Sequence, residues 1–150
     1  MPHSYTQLLY HIVWSTKERN PWLVDSVRDR VHAYLGGGIR SEGGTALCIG
    51  GVEDHVHVLA RLRQDKALSA VIGAIKANSS GWIHREFPDL AGFEWQAGYS
   101  AFTVSKSQES RVRTYIDGQI EHHRKKPFKE ELLALLKAHE IEYNEAYLWT

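Results

Sequence analysis

The sequence has little of what would place the chain in a membrane or outside the cell. It contains one cysteine, Cys48, so a disulfide within the chain is excluded. No apolar run approaches the roughly 20 residues of a membrane span, and no apolar segment near the start resembles a signal peptide. We therefore expect a cytoplasmic protein that makes no membrane contact.

An excess of charge of either sign is also missing, because 18 lysines and arginines balance 18 aspartates and glutamates. Nucleic-acid-binding domains more often carry a basic balance, so contact with DNA would have to depend on a local cluster. The best local cluster is HHRKKPFK, residues 122–129, which has four basic residues and no acid. A solvated helix end that complements the helix dipole is the alternative.

The order of predicted elements indicates one domain over residues 1–150, a length that can bury a core without disulfides. Aromatic and branched residues predict strands at 5–16, 45–49 and 55–62 and within 93–105. Apolar spacing predicts helices over 24–35, 66–86 and about 105–126, with a helical tail at about 129–139. The order βαββαβ followed by α is typical of an α+β, ferredoxin-like antiparallel sheet with helices packed on one face.

Three successive glycines, 36–38, follow the first predicted helix. A phosphate-binding loop would need Gly-Lys-Ser or Gly-Lys-Thr after them, and the sequence does not provide it. Glycines after an amphipathic run are typical of a helix end, so we expect the first helix to stop there.

Two histidines, His55 and His57, stand on a predicted strand with one valine between them. Successive strand side chains point to opposite faces, so both imidazoles share one face while Val56 and Val58 can anchor the other. Two neutral imidazoles on a rigid strand supply half of a metal site, which needs a third ligand from elsewhere. On this spacing alone, a pair of surface or hydrogen-bonded histidines is the alternative.

A second pattern lies on the third predicted helix, where Tyr115, Gln119 and His122 fall on one narrow stripe at about 100° per residue. A glutamine carbonyl can bind a hard divalent cation, and a tyrosine oxygen can act as a nucleophile. A tyrosine that packs on the sheet, with the glutamine exposed, fits the same pattern. Gly118 costs this helix about 1 kcal/mol relative to alanine, which indicates close packing or flexibility near the tyrosine.

Four segments follow one another along the chain, namely HIVWSTKERNPWL, DHVHVL, YIDGQIEHH and YNEAYLW. Together they closely resemble the IS200-like single-strand DNA transposases of the HUH, single-tyrosine class, and they span nearly the whole chain. The resemblance implies that His55, His57 and Gln119 bind a metal ion. It also implies that Tyr115 is the nucleophile.

The resemblance further implies a reaction, a substrate and an assembly. Attack on a DNA phosphate would leave a 5′-phosphotyrosine and a free 3′-hydroxyl, and the reverse step would join strands, with Mg²⁺ or Mn²⁺ as cofactor. The implied substrate is single-stranded DNA with imperfect hairpins. The implied assembly is a homodimer in which the tyrosine helix of one protomer completes the partner's histidine site. Basic residues that are candidates for phosphate contacts are Lys76, Arg111, Arg113, Arg124 and Lys125.

Two other functions compete with this interpretation. A histidine-triad nucleotide hydrolase would need a third alternating histidine, but the next residue on that face is Leu59. A descendant that binds DNA hairpins without cleaving them is compatible with much of the sequence, although the presence of all four matched residues argues against it. The sequence leaves the roles of His122 and His123 open.

Overall fold

A four-stranded antiparallel sheet organises residues 3–150, the part of the chain that the computed structural model describes. The strands are β1 (Leu9–Ser15), β2 (Thr45–Gly51), β3 (His55–Arg61) and β4 (Ser100–Val104). They lie in the order β2-β3-β1-β4, so β3 and β1 are central and β4 is an edge. Strands β2 and β3, which are consecutive in the chain, pair antiparallel as a hairpin.

Five α-helices of the described chain cover the two faces of this sheet. They are α1 (Asp25–Ser41), α2 (Leu68–Glu86), α3 (Glu109–Asp117), α4 (Gln119–His123) and α5 (Phe128–Ala138). The larger core lies between the sheet and the α1–α2 layer, where Val31 and Ile75 pack in one cluster with Val58. None of the helices in residues 3–150 combines the length and the apolar character needed to cross a bilayer.

The predicted ferredoxin-like α+β fold is confirmed, because the strand order and the two helices between strands match it. The expected packing on one face holds for α1 and α2. The helices after β4 lie on the other face, where Phe128 and Leu132 of α5 pack against Val13 and Phe102 of the sheet. The apolar side of α5 therefore closes a second, smaller core.

The first helix does not stop at the three glycines, contrary to the expectation from sequence. Helix α1 continues through residues 36–38 and ends at Ser41. Leu35 and Ile39, on either side of the glycines, are fully buried. Burial contributes about 1.5–3 kcal/mol for each such side chain, which offsets the roughly 1 kcal/mol that each glycine costs the helix.

The third predicted helix is interrupted at Gly118, which separates α3 from α4. The Gly118 N–H still donates to the Thr114 carbonyl at 3.1 Å, so the chain keeps its direction across the break. The last predicted strand, expected within 93–105, is β4 at Ser100–Val104. Before β4, Trp95 makes only an isolated bridge to Thr16.

Candidate active site

The two strand histidines lie on the sheet face that α3, α4 and α5 cover, and both are fully buried. On β3, Val56 and Val58 point instead into the core beneath α1 and α2. The imidazoles therefore share one face, as the alternation along the strand predicts.

Helices α3 and α4 bring the tyrosine and the glutamine to these histidines. The ring centroids of Tyr115 and His57 are 5.6 Å apart, and Gln119 Oε1 lies 3.2 Å from His55 Nε2. Helix α3 approaches β2 closely because Gly50 has no side chain; a Cβ there would overlap the backbone of Ile116. The four residues singled out in the sequence thus meet at one place.

A carboxylate from α5, Glu131, lies at the centre of these groups and is only 2% exposed. Its Oε1 is 3.0 Å from His57 Nε2 and 3.0 Å from His123 Nε2. Its Oε2 accepts hydrogen bonds from the Tyr115 hydroxyl and, at 3.0 Å, from Gln119 Nε2. A single buried carboxylate therefore contacts both the histidines and the tyrosine.

Glu131 was not among the site residues predicted from the sequence, although the sequence carries one signal that marks it. Phe128, Leu132 and Leu135 mark the apolar side of α5, and Glu131 stands among them at i+3 from Phe128. A charged residue in a position that the helix buries needs a partner, because an unpaired buried charge is costly. That placement could have marked Glu131 as a candidate.

The outer nitrogens of the strand histidines are also bonded. His55 Nδ1 lies 2.7 Å from Asp54 Oδ1, and His57 Nδ1 lies 2.8 Å from His11 Nε2. Donation from His55 Nδ1–H to the carboxylate leaves the lone pair on Nε2, which faces the centre of the site. Such outer partners fix the orientation and tautomer of metal-binding histidines.

Burial and hydrogen bonds set the charge of the imidazoles. Burial lowers the pKa of His57 to about 4 and that of His11 to about 3, so both are neutral at neutral pH. For His55, burial also opposes the charge, but hydrogen bonds to Asp54 and Glu131 outweigh it and raise the pKa above 6.5. His55 is therefore the imidazole that protonates most readily among these three.

The pKa values of the candidate nucleophile and of its carboxylate partner are shifted in opposite directions. Burial, and then the hydrogen bond to Glu131, raise the pKa of Tyr115 above its usual value. Burial alone would raise the pKa of Glu131, but hydrogen bonds from the surrounding imidazoles hold it well below its usual range. In the absence of substrate, the tyrosine is a neutral phenol beside an ionised carboxylate.

The donor atoms fit a divalent cation. One ligand atom from each of His55, His57, His123 and Glu131 lies within 4.8 Å of the others. The Gln119 amide nitrogen donates to Glu131, so its carbonyl oxygen is the end that faces His55. Imidazole, amide oxygen and carboxylate lone pairs thus converge, and such a mixed oxygen and nitrogen set can hold a divalent cation.

The phosphate contact predicted for Lys76 does not fit the structure. Lys76 lies on α2, in the layer on the opposite face of the sheet, and is 8% exposed. Its ammonium donates to the carbonyls of Ala97 and Gly98 at 3.3 and 2.6 Å. Burial lowers its pKa to about 8. The ammonium is engaged within the fold, because it replaces its hydration with backbone carbonyls.

The other four basic candidates lie on α3 or just after α4, on the same side as the histidines. Arg111 is exposed and lines a groove of about 460 Å³ together with Tyr115 and Phe102. Arg113 and Arg124 form ion pairs within their own helical segments, at 3.8 and 2.9 Å from glutamates. Lys125 is exposed beyond α4. Arg111 is thus the candidate that the structure places beside the tyrosine.

Known proteins resemble this chain over most of its length. The family model described as "Transposase IS200 like" matches residues 4–119. The ISDra2 transposase TnpA of Deinococcus radiodurans is 28% identical over 118 residues, which cover 75% of this chain and 84% of that protein. The transposase for insertion sequence element IS200 of Salmonella typhimurium is 27% identical over 127 residues, covering 81% and 82%.

Solved structures share the fold. A crystal structure of a Deinococcus radiodurans protein assigned as a transposase superposes with a TM-score of 0.65 at 27% identity, covering 79% of this chain and 96% of that one. A REP-associated tyrosine transposase bound to a REP hairpin superposes with a TM-score of 0.57 at 13% identity, covering 83% and 72%, and supports the fold alone. Because the family model spans more than half of the sequence, this chain belongs to the IS200-like transposases, enzymes that cleave and rejoin DNA.

Proposed function

We propose that this transposase cleaves and rejoins single-stranded DNA through a covalent bond to Tyr115. The observation that carries the proposal is the meeting of Tyr115, Gln119 and the two strand histidines at one buried centre. These residues come from three separate elements, β3, α3 and α4. A nucleophile beside a set of metal-binding groups is the arrangement that phosphoryl transfer needs.

Each step exchanges one phosphodiester for another. The Tyr115 oxygen attacks phosphorus, the bond from phosphorus to the 3′-oxygen breaks, and the freed 3′-oxygen ends with the proton that the tyrosine gives up. The product is a 5′-phosphotyrosine. Attack by a 3′-hydroxyl from another DNA end reverses the step and joins strands, so ATP is not needed.

The residues of this chain hold the reacting groups in place. His55, His57 and Gln119 would bind Mg²⁺ or Mn²⁺, which polarises the phosphate and orients the scissile bond when bound. The hydrogen bond from Tyr115 to Glu131 fixes the direction of the phenol oxygen. Asp54 orients the outer nitrogen of His55, which keeps the inner nitrogen directed at the centre.

We propose single-stranded DNA with hairpins as the substrate. A transposase with the same fold is bound to a REP hairpin in its structure. Beside Tyr115, the groove lined by His11, Phe102 and Arg111 offers aromatic rings and a cation. Unpaired bases stack on aromatic side chains, and arginines contact the backbone. Arg113, Arg124 and Lys125 are further candidates for phosphate contacts on this side.

The proposal extends to a homodimer with shared active sites, as the family resemblance implies. The open edge of β4 supports it, because an unpaired strand edge can pair with a second copy. A self-contained site is the second candidate. One observation favours it, since Tyr115 already lies beside the histidines of its own chain.

The test of the proposal is formation of a covalent protein–DNA adduct. Single-stranded oligonucleotides that tile the DNA flanking the gene are incubated with Mn²⁺ and protein, and the adduct is resolved on a denaturing gel. We expect an adduct with the wild type and with Tyr143→Phe as control, but none with Tyr115→Phe, which keeps the ring and loses the hydroxyl. An adduct that survives in Tyr115→Phe would refute the assignment.

A native gel run beside the denaturing one separates the proposal from its non-catalytic alternative. A hairpin-binding descendant would retard hairpin oligonucleotides on a native gel and form no adduct with any of them. Wild-type protein that binds such DNA with Mn²⁺ present and never becomes covalently attached would favour that alternative.

A further inference from the structure

Glu131 lies among the candidate metal-binding groups. It is nevertheless outside the sequence segments that resemble the transposase family. It stands on α5, beyond residues 4–119 that the family model matches. Its side chain is 2% exposed. Burial of an unpaired carboxylate is strongly unfavourable, so this placement requires compensating partners.

The two oxygens of Glu131 have separate partners. Oε1 faces the inner nitrogens of three histidines, at 3.0 Å from His57, 3.0 Å from His123 and 3.5 Å from His55. Oε2 faces the Tyr115 hydroxyl, the Gln119 amide nitrogen and, at 3.2 Å, the Nε2 of His122. One oxygen is therefore directed at the strand histidines and His123, and the other at the nucleophile and at Gln119.

We propose that Glu131 is a carboxylate ligand of the divalent metal and, through its second oxygen, the acceptor that holds the Tyr115 hydroxyl beside it. This inference rests on the proposed function and adds a ligand to it. Two imidazoles and an amide carry no charge, whereas Mg²⁺ and Mn²⁺ prefer anionic oxygen. Glu131 supplies the negative charge that the other three ligands lack.

The carboxylate also links the two parts of the site. A bound metal and Tyr115 would each contact an oxygen of the same planar group, whose position α5 fixes by burying Phe128 and Leu132. The distance between metal and nucleophile would then depend on the packing of α5 against the sheet. Helix α5 is in this way part of the active site.

The experiment measures Mn²⁺ binding to the full chain without DNA, by calorimetry and by the loss of the free-ion signal in electron paramagnetic resonance. We expect Glu131→Gln to weaken Mn²⁺ binding by at least the roughly tenfold to hundredfold that the loss of an outer partner of a metal ligand causes, and Glu131→Asp to recover part of the loss because it restores a carboxylate. The matched control is Glu130→Gln, the same substitution at the exposed neighbouring position of α5, which should leave binding unchanged. Circular dichroism melting curves verify that each variant is folded.

Two outcomes separate this inference from the proposed function. Folded Glu131→Gln that binds Mn²⁺ as the wild type does, while His55→Ala abolishes binding, would overturn the role of Glu131 and leave the metal site standing. If His55→Ala also binds Mn²⁺ normally, the proposed metal site itself is wrong.

Discussion

His55 and His57 are held from both sides. Asp54 and His11 bond their outer nitrogens, while Glu131 faces their inner ones. Buried polar networks of this kind are specific because each unsatisfied member would cost about 1–3 kcal/mol. The two imidazoles therefore have little freedom to turn, which prepares the inner nitrogens for a ligand.

The pH dependence of Mn²⁺ binding follows from the unequal pKa values of these imidazoles. The pKa of His55 is raised above its usual 6.5. Its inner nitrogen therefore gains a competing proton as the pH falls through this raised pKa. His57, with a pKa of about 4, stays neutral down to about pH 5. We expect the affinity to fall by about tenfold per pH unit below the His55 pKa, as for one displaced proton, and to level off above it.

This dependence is measured by calorimetric titration of Mn²⁺ between pH 5.5 and 8, and proton release is obtained by comparing two buffers of different ionisation enthalpy. His57→Ala tests the site at the other histidine and should weaken binding at every pH. An affinity that stays constant from pH 5.5 to 8 would contradict the role of His55 as a ligand.

At the scale of elements, the position of α3 depends on a glycine in β2. Gly50 allows the backbone of α3 near Ile116 to approach the strand directly. Tyr115 is the neighbouring residue on that helix, so the height of α3 above the sheet sets the height of the tyrosine above the histidines. The interruption at Gly118 then lets α4 continue with Gln119 buried at the same centre.

Gly50→Ala is therefore expected to displace α3 and to slow adduct formation. The added methyl group meets backbone, which cannot turn aside, so we expect a loss of about 1–3 kcal/mol in the free energy of unfolding. The control is Gly73→Ala on α2, where a Cβ has no neighbour within 4 Å. That variant should gain up to about 1 kcal/mol and keep the wild-type rate. Denaturant unfolding measures the change in stability, and the adduct gel measures the rate of adduct formation. An unchanged rate in Gly50→Ala would contradict the role of Gly50 in positioning α3.

At the scale of the whole molecule, the open edge of β4 and the position of Tyr115 favour different assemblies. The β4 edge offers unpaired backbone groups to a second sheet. The tyrosine, however, already lies beside the histidines of its own chain. Because α3 follows β4 after only a short 3₁₀ segment, Lys106–Gln108, an exchange of helices between protomers would have to bend the chain there.

Mixing two inactive variants distinguishes these assemblies. Tyr115→Phe and His55→Ala are combined under conditions in which protomers exchange, and heterodimers are isolated by two different tags. With shared sites, as proposed, the intact tyrosine of the His55→Ala chain meets the intact histidines of the other chain, so adducts form on the His55→Ala chain alone. Verified heterodimers without any adduct would show that each chain uses its own tyrosine.

The sequence by itself determined the features that depend on neighbours along the chain. Strand alternation placed His55 and His57 on one face, and the helical period placed Tyr115 near Gln119 across one turn. The apolar spacing over 66–86 predicted α2, which the structure has at Leu68–Glu86. These predictions worked because the strand and helix periods are properties of the backbone and need no knowledge of what packs against the element.

Only the tertiary structure decided which groups meet across distant elements. It brought Glu131 to His57, 74 residues earlier in the sequence, and His11 to the same histidine, 46 residues later. It buried Lys76 among backbone carbonyls. The helical repeat predicts which face of a helix is apolar, but which element packs against that face depends on the packing of the whole chain. A buried charge is stable only where that packing supplies its counterpart.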